Sequence, residues 1–215
     1  SGTLTVTGVL SDNTAVSVAS GAVYDVDATD TVASIEGAGN IEIASSQTLT
    51  AGDANNKTLS GVISGSGGFT KAGSGTLTLS STNTFSGITT INAGTLTVTG
   101  ALSDSSAVSV ASGAIYDVDA SDTVASIEGA GNIEIASSQI LTAGDSNNKT
   151  LSGVISGSGG FTKTGSGTQT LSGNNSFSGA TNINSGTLTV TGTLSDSTAV
   201  TVASGAVYDV NASDT

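Results

Sequence analysis

The heptapeptide Gly2-Thr3-Leu4-Thr5-Val6-Thr7-Gly8 (GTLTVTG) returns at Gly94 and again at Gly186. Both spacings are 92 residues, and residues 1–92 agree with 93–184 at 77 of 92 positions. Self-similarity at a fixed period marks a repeat architecture and has to be read before any single motif. The chain divides accordingly into a first unit, 1–92, a second, 93–184, and a partial third, 185–215. Near-identity of this degree suggests tandem duplication. With no initiator Met, the chain reads as a piece of a longer parent.

Within the heptapeptide, Leu4 and Val6 alternate with Thr3, Thr5 and Thr7, the period of a strand with one buried face. Working outward, five segments stack on one another: Gly2–Ser20, Gly21–Ala38, Gly39–Asn56, Lys57–Ser74 and Gly75–Ala93. Their third positions, Leu4, Val23, Ile41, Leu59 and Leu77, are all aliphatic and are predicted to fill the core, as are their counterparts 92 residues on. In the second segment Tyr24 and Val26 offer an alternative inward pair. AVSVA at 15–19 and GITTIN at 87–92 read as further strands, and AGDANN and SGSGG as turns. Gly21, Gly39 and Gly75 are expected to turn corners.

Segments of 18–19 residues holding two or three short strands each describe one coil of an all-β parallel β-helix. The chain would hold roughly 12 coils and, at about 4.8 Å per coil, extend about 55 Å. A unit of 92 residues is also the size of an immunoglobulin-like domain, so a string of β-sandwich beads is the rival. The shorter period inside the 92 favours one continuous solenoid.

Composition agrees. The chain has no Pro, Trp, Cys, Met, His or Arg, and aromatic residues make up 3 %. A narrow coil has no room for Trp, and ladders continuous on both sides exclude Pro, which lacks the donor. Without His or Cys there is no Ser-His-Asp triad, no thiol nucleophile, no disulfide and no ordinary zinc or haem site. The net charge of −13, with only four Lys, argues against nucleic acid and anionic membrane as partners. No apolar run is long enough to span a membrane.

The most specific stretch is Gly67–Val98, GGFTKAGSGTLTLSSTNTFSGITTINAGTLTV, which recurs at Gly159–Val190 as GGFTKTGSGTQTLSGNNSFSGATNINSGTLTV. It resembles the autotransporter-associated β-strand repeat of bacterial type V passenger domains. Phe85 and Phe177 stand where that family usually has Tyr. Gln169 replaces a Leu, which leaves a polar or outward position in the second copy. The resemblance implies a right-handed β-helix, export through an outer-membrane barrel, and a motif that folds as it emerges.

Among candidate sites, Asp25, Asp27 and Asp30 in DVDATD recur as Asp117, Asp119 and Asp122, and then as Asp209, Asn211 and Asp214. Oxygen ligands at alternate positions suit Ca²⁺. The calcium-loop glycine and distal Glu are missing, so the competing reading is a solvated outer face. Thr76 and Thr78, beside Thr95 and Thr97, form a rank of hydroxyls of the kind that binds ice; Thr is also simply a good strand former. Paired acids such as Glu36 and Glu42 occur in polysaccharide-cleaving β-helices, but their recurrence in every unit points away from a single catalytic site.

The sequence reading is therefore a structural stalk of a secreted or surface-displayed bacterial adhesin, not an enzyme, with no cofactor. Homotypic contact or a surface ligand is the expected partnership, carried by repeated polar residues including Asn55, Asn56, Asn83 and Asn92.

Overall fold

The computed structural model describes residues 1–195 and 197–211. Asp214, the last of the predicted calcium candidates, lies outside the described residues. Those described contain 27 strands and no helix, and every ladder is parallel. Parallel pairing throughout excludes immunoglobulin-like sandwiches, which are antiparallel. The chain is a β-solenoid with three faces, visited in the same order in every coil.

On the first face stack Gly2–Val6, Ala22–Val26, Asn40–Ile43 and Ile63–Gly65. The single bridge Thr82↔Ala101 continues this face. After it come Asp122–Val124, Ile140–Ala143, Gly160–Lys163, Thr181–Ile183 and Val200–Val202. The second face is a ten-stranded sheet from Asp30–Val32 to Val207–Val210, one strand per coil. The third face runs from Ala15–Val18 through Thr95–Val98 to Ile155–Gly157. Ten coils on the complete second face stand close to the roughly 12 expected.

Inward side chains form aliphatic columns. On the third face Leu96 stands over Tyr116, Ile133 and Ile155, all fully buried. The outward partners Thr97, Asp117 and Glu134 follow one another in the same register. Burial of a Leu, Ile or Val contributes about 1.5–3 kcal/mol, and each coil draws that stability from its immediate neighbours alone, as in other solenoids.

Three sequence expectations need correction. Val23 faces outward, and Tyr24 and Val26 fill the core. Turning Val23 inward would turn Asp25 inward with it, since alternate residues share a face, and a buried unpaired carboxylate is costly. Leu4 is 57 % exposed because no described strand lies on its far side, whereas its counterpart Leu96, covered on both sides, is buried.

The third correction concerns stacking. Ile41 is followed in its column by Ile63, not by Leu59. Leu59 belongs to the third face, paired with Gly37 on one side and Leu79 on the other. The corner at Gly61 sets this coil's length. An added Cβ there would lie 1.7 Å from the Gly39 carbonyl oxygen, so only glycine fits at 61, while Gly39 is itself pressed against the Ala19 carbonyl oxygen, 2.3 Å from where its Cβ would stand. Asn40 Oδ1 accepts from the Val62 N–H at 3.0 Å and fixes the entry to the next strand.

Candidate functional site

The predicted acidic cluster does not converge. Asp25 lies on the outer surface, where its Oδ2 accepts from the Thr5 hydroxyl at 3.0 Å. Asp27 is exposed. Asp30 points the other way, 2 % exposed, and accepts from the Tyr24 hydroxyl at 2.9 Å and from the Leu10 N–H at 3.0 Å. Asp117, Asp119 and Asp122 repeat the arrangement: Asp117 accepts from Thr97, Asp119 is exposed, and Asp122 takes the Tyr116 hydroxyl and the Leu102 N–H. Among the described residues no group of three His, Cys, Asp or Glu side chains could hold a metal ion.

Burial pushes the Asp122 carboxyl up to about 6, although the Tyr116 hydroxyl and the Leu102 and Thr123 N–H groups favour its charged form. The Tyr116 phenol is in turn pushed well above its usual range by burial and by Asp122. On the outer surface, burial also raises Asp117, against the Thr97 hydroxyl, with Asp119 and Glu134 adding repulsion.

The Thr rank is present. Thr58, Thr78 and Thr97 follow one another on the third face, and Thr76 stands beside Thr95. It gives way to Asp117 on the next coil.

The densest chemistry lies in the long motif, and it is buried. Lys71 ends the strand Gly68–Lys71 with its side chain inside the coil, 1 % exposed. Its ammonium donates to three carbonyl oxygens: Ala72, Gly73 at 2.8 Å and Ala93 at 3.1 Å. Two of these belong to the turn that follows, and the third belongs to the next coil, so the charge ties two corners together. Burial pushes the Lys71 ammonium down and Asp53 pulls it back. Lys163 repeats the cage with Thr164, Gly165 and Ser185.

Asn83 is the second buried tie. Its Oδ1 accepts from the Ile63 N–H at 2.9 Å in the preceding coil. Its Nδ2 donates to Ser81 O at 2.9 Å and to Ala101 O at 3.0 Å, the latter in the following coil. One amide thus bridges three coils where the first face has no full strand. Asn175 does the same with Ile155, Gly173 and Thr193. Phe69 and Phe85 in the first copy of the motif pack edge to face, ring centroids 6.5 Å apart.

A family model described as the passenger-associated-transport-repeat matches residues 69–98 and 161–190. The two matched stretches, 60 of the 215 residues, are similar to that repeat. They coincide with the stretches whose resemblance to autotransporter passengers is visible in the sequence, and each contains one caged lysine and one bridging asparagine. With the solenoid fold, the two matches support a passenger-type reading of the chain. No match is found among curated proteins or among solved structures.

Sequence reasoning missed both ties. Asn83, expected among the outward polar contact residues, is 1 % exposed, and nothing in the alternation marks a Lys or an Asn as inward. Identity between the two copies gives no signal either, since 77 of 92 positions are identical and the surface lysines Lys57 and Lys149 recur just as faithfully. Gln169 proves inward too, 2 % exposed, with its amide donating to Thr170 O. The remaining two lysines stay at the surface, Lys57 paired with Glu36 at 3.1 Å and Lys149 with Glu128 at 3.0 Å.

Proposed function

We propose that this chain is a stalk segment of a secreted, surface-displayed bacterial passenger, and that its work is mechanical and not enzymatic. The observation that carries this reading is the placement of the passenger repeat. Its polar side chains are spent on tying coils to one another, the lysine across two corners and the asparagine across three coils. A motif built this way stiffens the rod. It also gives an emerging chain a place where the coils lock. The segment extends whatever stands at its far end, and its repeated polar faces serve contact with a second copy or with a surface ligand.

The test is display on intact bacteria of the chain joined to a barrel translocator. Lys71→Met with Lys163→Met should slow or reduce the protease-accessible fraction, and Lys57→Ala with Lys149→Ala should leave it unchanged. Parental display by the cage variant would remove the export role from the motif and leave the stalk role standing. The stalk role itself fails if scattering from the purified chain fits a flexible string and not a rigid rod. Sedimentation over a range of concentrations tests contact between copies.

A further inference from the structure

The 92-residue repeat and the coil are out of phase. Gly2–Val6 lies on the first face, its counterpart Thr95–Val98 on the third, and Thr187–Val190 on the second. Every other pair of counterparts obeys the same rule. Ala22–Val26 on the first face becomes Ile115–Val118 on the third and Val207–Val210 on the second. Asp30–Val32 on the second becomes Asp122–Val124 on the first.

From Gly2–Val6 the chain completes four coils, reaching Thr82 on the first face, and then crosses two more faces before the repeat begins again. One repeat is therefore four and two-thirds coils, close to 20 residues each, and only after three repeats and fourteen coils does a given residue return to its starting face. The long coil between Ile41 and Ile63 creates the offset. Stacking Leu59 on Ile41 would have given five whole coils and kept every copy on one side.

We propose that the offset is a display device: it presents each repeated surface feature in three directions in turn, so that a partner of domain size can occupy every repeat. The outward carboxylates show the rotation. Asp25 and Glu42 are register partners on the first face, Asp117 and Glu134 on the third, and Asp209 stands on the second. Four and two-thirds coils rise about 22 Å. A compact domain of 100 residues has a radius of gyration of about 13 Å and is wider than that rise. Partners seated on one side at every repeat would collide, whereas partners on successive faces are held apart by the rod. On any one side the spacing becomes about 67 Å.

The chain has no cysteine, so introduced thiols are unique. Thr7, Thr99 and Thr191 are exposed counterparts, each directly after one of the three GTLTV strands. The triple variant Thr7→Cys, Thr99→Cys, Thr191→Cys, fully biotinylated as judged by mass, is saturated with a monovalent biotin-binding protein. We expect three bound per chain, projecting in three directions in electron micrographs. A single row along one side, or mutual exclusion of neighbours, overturns the proposal. A second measurement reads the offset itself by mild oxidation of paired thiols. Register partners lie at a Cα separation compatible with a disulfide. Glu42→Cys with Ser64→Cys should cross-link within the chain. Cross-linking of Glu42→Cys with Ser60→Cys instead means five whole coils per repeat and sinks the three-way display.

Discussion

The Tyr116 hydroxyl donates to Asp122 Oδ2 at 2.5 Å inside the coil. The same carboxylate caps the Leu102 N–H of the preceding coil, so an ionisable group holds a coil junction from within. Its carboxyl is pushed up to about 6, against about 3.9 for an unfolded Asp. The folded state therefore prefers the protonated acid. The stability linked to this group is full below about pH 4 and is lost as pH rises through 6, about 3 kcal/mol in all. Asp122→Asn keeps an acceptor for Tyr116 and Leu102 and cannot ionise. Urea unfolding between pH 4 and pH 7 should show a steeper decline for the parent than for this variant. Parallel profiles would mean that the carboxylate is not buried as described.

The two kinds of lysine should separate cleanly. Lys71→Met strips three carbonyl oxygens of a charged donor and should cost about 3 kcal/mol. Lys57→Ala removes a surface ion pair with Glu36 and should cost under about 1 kcal/mol. Lys71→Met and Lys163→Met lie more than four coils apart, so their effects should add. Equal losses at Lys57 and Lys71 in denaturant titrations would contradict the carbonyl cage.

Asn83→Leu keeps roughly the volume and loses three hydrogen bonds, for about 3 kcal/mol. Hydrogen exchange gives the local readout: the Ile63 amide should lose protection first, since it loses its acceptor. Unchanged exchange at Ile63 would show that the amide does not bridge the coils.

Gly61→Ala places a methyl carbon where the Gly39 carbonyl oxygen stands 1.7 Å away. The obstacle is backbone, so the coils themselves must part, at a cost of about 3 kcal/mol or more. Gly2→Ala meets nothing within 4 Å and should leave the melting temperature nearly unchanged. A Gly61→Ala chain that melts with the parent would remove the close fit of Gly61 against Gly39.

The solenoid was legible from alternation and from a spacing of 18–19 residues, a little short of the coil of about 20, because both follow directly from strands that stack once per coil. Which strand stacks on which was not. Alternation fixes a register only up to slips of two residues. KTLSG at 57–61 and GVISG at 61–65 place aliphatic side chains on the inner face equally well. The close fit of Gly61 against Gly39 and the Asn40–Val62 and Asn83–Ile63 hydrogen bonds favour Ile63, and those contacts exist only once the coils are assembled. Val23 against Tyr24 is a slip of one, and there the charge on Asp25 held the answer. The buried lysine and asparagine escaped because the partners that make burial tolerable are backbone carbonyls and an amide, which a sequence does not display.

The spacing of the register partners carries one more consequence. About 20 residues stretched to their limit reach some 66 Å, and wound into a coil they advance about 4.8 Å. Closing a coil therefore reels in roughly 60 Å of thread, a reduction of about fourteen to one. For a chain leaving a narrow pore and winding only on the far side, every closed coil hauls the next length through and its ladder resists backsliding. If the chain is exported as proposed, the solenoid acts as a winch, with the buried lysine and asparagine as its pawls.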